Sequence, residues 1–167
     1  MTVQKQYAGL SFEQAVQQYA DAVYTACVVR LQNSPDVDDC VQNTFIKLYQ
    51  NPPAFNDENH LKAWLLRVAI NECKKSVRDH RRFVPLESVQ DHPLPGSSGA
   101  RDDDTRDVSW ALMRLDPKYR EVLYLYYVER YKVDEIASIL DSKSNTVKSL
   151  LKRGRDKLRK IYGGDDA

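Results

Sequence analysis

The sequence has few cysteines, few glycines and no long apolar run. Its 167 residues include only three cysteines and six glycines. No apolar run approaches the roughly 18 residues that a membrane-spanning helix requires, and no leader-like segment opens the chain. We therefore expect a soluble, cytoplasmic protein whose cysteines stay reduced.

Recognisable metal ligands are also missing. The cysteines are far apart in the sequence, no CxxC pair occurs, and the three histidines fall in no ligand spacing. Cys27 and Cys40 stand at apolar helical positions, where packing in a core is more common than chemistry. The sequence thus predicts no metal site and no cofactor.

Charge is nearly balanced overall but unevenly distributed. The formal net charge of +1 predicts no particular partner. Basic residues are concentrated in residues 61–83 and 143–160, whereas acids dominate the intervening residues 87–107. This alternation of basic, acidic and basic blocks is more informative than the total charge.

Apolar residues recur at three- and four-residue steps along most of the chain, which predicts an all-α fold. We expect helices over residues 12–31, 34–50 and 60–80, the second of them beginning at Ser34-Pro35. The apolar face of this second helix is expected to consist of Val37, Val41, Phe45, Leu48 and Tyr49.

Residues 84–104 interrupt the helical pattern. They hold three of the seven prolines and two of the six glycines, and their few apolar residues follow no period. This composition is typical of a linker. The pattern then resumes, and Asp116-Pro117 marks a helix start. We predict two small helical domains, residues 1–83 and 105–167, joined by a flexible acidic linker.

The last two helices, "VDEIASIL" and "SNTVKSLLKRGRDKLRK", have the pattern of a helix-turn-helix. One side of the second is apolar, and the other carries amides, hydroxyls and cations, which suit a major groove. The first residues of such a helix meet the bases. An ordinary solvated basic surface is the alternative. The predicted contacts are Asn145, Thr146, Lys148 and Ser149 to bases, Lys152, Arg153 and Arg155 to phosphates, and Ser144 at the helix start.

A second polar stripe follows the third helix. At about 100° per residue its members fall within a narrow arc. Three kinds of group together are typical of single-strand binding: cations that follow the nucleic-acid backbone, an amide that can bond a base edge, and a flanking aromatic ring. Trp64 is also consistent with a core position, because Leu65 and Val68 adjoin it. The stripe consists of Trp64, Arg67, Asn71, Lys74 and Arg78.

The second helix has one apolar residue on its polar side. Ile46 stands among Asp39, Gln42 and Asn43. A single exposed apolar residue is common and needs no explanation, but the same pattern fits the anchor of a protein interface. The residues alone leave both interpretations open.

Longer stretches carry a family resemblance. "DVDDCVQNTFIKLYQ" with "HLKAWLLRVAINECKKSVR" closely resembles region 2 of bacterial sigma factors of the extracytoplasmic-function (ECF) type. "LDPKYREVLYLYYVERYKVDEIASILDSKSNTVKSLLKRGRDKLRK" resembles their region 4. Together these stretches cover nearly all of the chain outside the linker and the two ends.

The resemblance implies a dissociable subunit of bacterial RNA polymerase that recognises promoters and promotes their melting. Asp39, Gln42, Asn43 and Ile46 would bind the β′ clamp helices. The stripe on the third helix would hold the opened −10 element, and the loop "NPPAFNDENH" would capture a flipped base. The second domain would read the −35 duplex and sit on the β flap. An anti-sigma factor is an implied partner; a small-molecule substrate and catalytic residues are not.

The sequence departs from the family pattern at several positions. Asn43 stands where Glu is frequent, and Leu150 where Arg is frequent. Asp141 and Ser142 occupy a turn that usually offers glycine and an apolar residue. These departures bear on the clamp contact and on the −35 preference.

Two other classes of function remain as alternatives. A helix-turn-helix regulator would bind duplex DNA without polymerase, but it leaves the stripe on the third helix unexplained. A nucleic-acid enzyme would use Asp36, Asp38 and Asp39. Acids in the first turn of a helix offset its dipole, and no partner histidine is evident from the sequence, so this alternative is weak.

Overall fold

The computed structural model describes residues 5–80 and 110–163, and the predicted linker over residues 84–104 lies outside these ranges. The fold is all-α, as predicted: no strand is present in the described residues, apart from an isolated bridge between Tyr7 and Leu10. The helices are α1 (Phe12–Leu31), α2 (Val37–Gln50), α3 (Glu58–His80), α4 (Pro117–Leu123), α5 (Val133–Leu140) and α6 (Ser144–Tyr162), and a π-helical turn, Tyr124–Val128, continues α4.

The chain separates into two compact units. Of the described residues, 5–27 and 34–80 belong to the first unit, and 28–33 and 110–163 belong to the second. The last turn of α1 is therefore grouped with the second unit. The predicted domain boundaries themselves fall among residues that the structure does not describe.

The second helix begins later than the sequence indicated. The predicted start was Ser34, but α2 begins at Val37 with Asp36 as its N-cap. The hydroxyl of Ser34 accepts a hydrogen bond from the backbone N–H of Asp36 at 3.2 Å. Serine side chains compete in this way for nearby backbone donors, so residues 34–36 form a turn that precedes the helix.

The predicted burial of Tyr49 is wrong. Tyr49 is 58% exposed, whereas Val37, Phe45 and Leu48 on the same helix are buried as expected. At about 100° per residue, Tyr49 lies roughly 120° around the helix from Val37, which is outside the buried arc. The polar side of α2 therefore carries a second large apolar side chain besides Ile46.

The first unit has its core between α2 and α3, which pack against each other, and residues of α1. Cys27 and Cys40 are buried, which confirms their predicted core positions. Cys73 of α3 hydrogen-bonds to both, and these bonds together with burial raise the pKa of its thiol. A protonated thiol in an apolar surrounding is unreactive, so Cys73 serves as a packing residue.

A buried acid links the same two helices. Glu72 of α3 is buried, and its carboxylate forms an ion pair with the ammonium group of Lys47 on α2. A buried carboxylate is costly unless it has such a partner. The pair therefore fixes α2 relative to α3, whose outer faces carry two of the predicted binding surfaces.

In the second unit, α6 packs against both α4 and α5. The predicted start at Asp116-Pro117 is confirmed, because Asp116 is the N-cap of α4 and proline follows in the first turn. Gly154 lets α4 and α6 approach closely: a Cβ there would lie 3.2 Å from Leu123 Cδ1 and 3.4 Å from Tyr119 Cβ. The contact holds the back of α6 and leaves its polar side outward.

Arg120 is the central polar group of the second unit. It is 2% exposed, and its guanidinium donates to the backbone carbonyls of Met113 at 3.2 Å and Leu115 at 3.1 Å. It also donates to the carbonyls of Val29 and Arg30. Burial is the main cause that lowers its pKa to about 10, so Arg120 is still charged at neutral pH. The bonds satisfy carbonyl groups that helix ends leave open.

Candidate functional site

The helix-turn-helix of the second unit is built by α5, a three-residue turn and α6. Asp141 ends α5 in the left-handed conformation, with φ 51° and ψ 53°. Glycine adopts this conformation most easily, and aspartate is among the few other residues that tolerate it. The backbone N–H of Ser142 then donates to the carbonyl of Ala137 at 2.8 Å, which closes the end of the helix.

Most of the predicted duplex-contacting residues are exposed along α6. Ser144 is half-buried, and its hydroxyl donates to the carboxylate of Asp134 on α5 at 2.6 Å. It therefore ties the two helices together at the start of α6. Leu150 is also half-buried. The predicted residues that lie exposed are Asn145, Thr146, Lys148, Ser149, Lys152 and Arg153.

Arg155 is held at the flank of this surface. Its Nε donates to the hydroxyl of Tyr127 at 2.7 Å. The guanidinium carbon lies 5.6 Å from the ring centroid of Tyr126 and 5.7 Å from that of Tyr127. Sequence reasoning missed this contact. The only available signal was the aromatic repeat in "YLYYV".

The stripe on α3 is solvated in its predicted arrangement. Arg67, Asn71 and Arg78 are exposed, while Trp64 and Lys74 are half-buried. From Arg67 to Arg78 the helix rises by about 16 Å, which gives the cations the reach to follow a strand. The sequence left two interpretations of Trp64 open, and its half-buried ring lies at the border of the core and the stripe.

The loop before α3 is ordered against the start of that helix. Phe55 packs edge-on against Trp64, with ring centroids 5.6 Å apart, and against His60 at 5.4 Å. The backbone N–H of Asn56 donates to His60 Nδ1 at 3.1 Å, and the N–H of His60 donates to the carboxylate of Asp57 at 2.8 Å. Phe55 and His60 therefore form an aromatic cluster with Trp64 at the N-terminal end of the stripe.

The predicted interface on α2 is also exposed. Ile46 is 47% exposed, and Asp39, Gln42 and Asn43 are exposed around it. We call these four residues the Ile46 surface. Tyr49, which the sequence assigned to the buried face, lies next to them. The first unit therefore presents two different surfaces, one cationic on α3 and one of mixed polarity on α2.

One of the three acids considered for catalysis, Asp36, has a histidine neighbour that the sequence did not indicate. The sequence showed no histidine partner for them, but His80 Nε2 lies 2.5 Å from the carboxylate of Asp36. Asp38 and Asp39 are exposed in the first turn of α2. Within residues 5–80 and 110–163, no group of three or more potential ligands is arranged to hold a metal ion. In the same ranges no helix combines the length and apolarity of a membrane span.

Comparison with known proteins matches both units. The family described as sigma-70 region 2 matches residues 15–83, and sigma-70 region 4 matches residues 107–158. The ECF RNA polymerase sigma factor SigW of Bacillus subtilis (strain 168) is 28% identical over 164 residues, covering 90% of this chain and 88% of SigW.

Two solved structures are similar along most of the chain. The sigma factor RpoE from Bartonella quintana, in complex with the anti-sigma factor NepR, has a TM-score of 0.74 and 26% identity, covering 92% of this chain and 98% of RpoE. CnrH, in complex with the cytosolic domain of CnrY, has a TM-score of 0.62 and 26% identity, and the match covers 93% of this chain and 89% of CnrH.

Two helical units, one with a helix-turn-helix and one with a cationic stripe, are typical of a DNA-binding protein. The chain belongs to the sigma-70 family, as a sigma factor of the ECF type. It is therefore a promoter-specific initiation factor that binds RNA polymerase.

Proposed function

We propose that three helices divide the work of promoter recognition. The Ile46 surface on α2 binds the β′ clamp helices of core RNA polymerase, the stripe on α3 holds the opened −10 element, and α6 reads the −35 duplex while the second unit sits on the β flap. The observation that carries the proposal is that α2 exposes an apolar anchor among polar groups, whereas α3 and α6 expose cations.

At the −10 element, melting is driven by binding of the separated strand. Arg67, Lys74 and Arg78 neutralise phosphates, and Asn71 can bond a base edge. Extruding one base from the stack costs a few kcal/mol. Phe55 and the loop before α3 can compensate this cost by holding the base, so melting requires no ATP.

At the −35 element, the exposed first turns of α6 enter the major groove. Asn145, Lys148 and Ser149 reach base edges, and Lys152 and Arg153 contact phosphates. Half-buried Leu150 offers no polar group to the DNA. We therefore propose a −35 preference that differs from that of relatives with arginine at this position.

The remaining assignments follow from this role. The working domains are residues 1–83 and 105–167, and the acidic linker threads the polymerase. The protein acts in the cytoplasm together with RNA polymerase, carries no catalytic site of its own and takes no small-molecule substrate. An anti-sigma factor holds it inactive, which is supported by similarity to RpoE and CnrH, whose structures contain such partners or their cytosolic domains.

The first test compares promoter binding with and without core polymerase. Run-off transcription on genomic fragments would supply a promoter, and fluorescence anisotropy would then measure its affinity. We expect weak binding by the free chain and tight binding after core polymerase is added. Tight binding that does not depend on polymerase would favour the helix-turn-helix regulator.

A titration of the labelled chain with core polymerase tests the Ile46 surface. Ile46→Glu should weaken binding of the chain to core polymerase by at least about tenfold, because an interface anchor is replaced by a charge. The matched control is Gln17→Glu, which adds the same charge at an exposed position of α1. Unchanged core affinity in Ile46→Glu would refute the assignment of this surface.

A further inference from the structure

Ile46 is not the only large apolar side chain that the first unit exposes. Among the described residues of this unit, the exposed large hydrophobic residues are Ile46 and Tyr49, which are 47% and 58% exposed. Residues three apart on a helix are neighbours on its surface. The two side chains therefore form one continuous apolar area on α2.

The ring of Tyr49 is held in place rather than free in solvent. The ring of Phe12 packs against it edge-on, with centroids 5.3 Å apart and planes at 75°. The ammonium group of Lys5 lies 5.6 Å from its centroid and donates to the carbonyl of Tyr49 at 3.3 Å. An aromatic residue already fixed in its bound position loses little entropy on binding.

The contacts to Tyr49 come from a short N-terminal turn. Tyr7 and Leu10 pair through two backbone hydrogen bonds of 2.8 and 3.0 Å. Ala8 and Gly9 between them have positive φ angles of 52° and 86°, which closes the turn. Tyr7 is buried and packs on Phe12, with centroids 6.0 Å apart. The turn thus anchors itself in the first unit and places Lys5 over the end of α2.

The chemistry of this area favours a protein over a nucleic acid. Within residues 5–80, Lys5 is the one cation placed at the Tyr49 end, and Asp39 at the other end would repel phosphates. The rest of the area is amide or apolar, since Gln42 and Gln50 are exposed beside the two anchors. Tyrosine at the centre of a polar rim is typical of residues that dominate protein interfaces.

We propose that Tyr49 is a second anchor of the interface with core RNA polymerase, and that the N-terminal turn is a positioning element for its ring. The inference rests on the proposed function of the Ile46 surface, with which Tyr49 is continuous.

The test is a titration of the labelled full-length chain with core polymerase. Tyr49→Ala is expected to weaken binding by at least about tenfold, and Tyr49→Phe, which keeps the ring, by less than about twofold. Lys5→Ala should have an intermediate effect because the ring loses its restraint. The control is Tyr162→Ala in the second unit, where the tyrosine is 51% exposed and the expected effect is none.

The outcomes separate this inference from the function on which it rests. Wild-type affinity in Tyr49→Ala together with loss in Ile46→Glu would overturn the second anchor and leave the Ile46 surface intact. No effect of either substitution would overturn both. A photoreactive benzophenone side chain at position 49 gives a readout that does not depend on stability. Cross-linking to a polymerase subunit in the holoenzyme supports the proposal, and cross-linking to DNA alone contradicts it.

Discussion

Arg155 illustrates how a neighbouring side chain can prepare a DNA contact. A free arginine must lose rotamer freedom when it binds a phosphate. Here the Tyr127 hydroxyl accepts from Nε at 2.7 Å, and two tyrosine rings lie against the guanidinium. With Arg155 predicted to contact a −35 phosphate, Tyr127 would act through Arg155 as a positioning residue for that contact.

Tyr127→Phe tests this role because it removes the hydroxyl and keeps the ring. We expect the affinity of the holoenzyme for a −35-dependent promoter to fall about threefold, the size of one modest hydrogen bond. Binding to core polymerase and the melting temperature should be unchanged. In an Arg155→Ala background the same substitution should have no further effect. An equal loss in both backgrounds would mean that Tyr127 acts independently of Arg155.

The exposed stripe on α3 was predictable from the sequence, whereas the contacts between side chains on different elements were not. Arg67, Asn71 and Arg78 follow from helical spacing alone, and all three are exposed as that spacing requires. The contact of Lys5 with Tyr49 joins residues 44 positions apart, and Cys73 meets Cys27 and Cys40 from three different helices. Such contacts depend on how helices pack, which a local period does not encode.

The π-helical turn after α4 departs from the regular α-helical spacing on which a sequence-based prediction depends. In the π-helical turn the backbone N–H of Glu129 donates to the carbonyl of Tyr124 at 3.1 Å, five residues earlier. This wider turn shifts every later residue relative to the α-helical period. Tyr127 and Val128 therefore point to solvent. The displacement brings Tyr127 to Arg155.

Gly154 controls the packing of the recognition helix on α4. A Cβ at this position already lies 3.2 Å from Leu123 Cδ1, so Gly154→Leu must displace α4. We expect the free energy of unfolding to fall by about 1–3 kcal/mol, measured by urea denaturation. Promoter binding through −35 should fall with it, while binding to core polymerase through α2 is retained.

Two control substitutions define what the Gly154 result means. Ser138→Leu adds the same side chain at an exposed position of α5 and should change stability by less than about 0.5 kcal/mol. Gly154→Ala should be nearly neutral, because a gain in helix propensity of about 1 kcal/mol opposes a contact that Leu123 can relieve by a small shift. Full stability of Gly154→Leu would show that α4 and α6 are not closely packed at this point.

The reach of the chain between the two DNA-binding units limits how they act together. The predicted linker has 21 residues, 84 to 104, and spans at most about 70 Å when fully extended. A flexible coil of this length averages about 25 Å, whereas one turn of DNA is about 34 Å. Simultaneous engagement of sites two turns apart thus requires a scaffold that extends the tether, which is the role proposed for polymerase.

Shortening the linker tests this two-point attachment. Removal of residues 88–99 would leave a tether of at most about 30 Å. We expect transcription from a promoter with both elements to fall at least about tenfold, because a tether that cannot span two sites loses their combined affinity. Core binding through α2 should persist. Insertion of six Gly and Ser residues should cost less than about twofold. Full activity of the shortened chain would show that the two units do not hold the promoter at the same time.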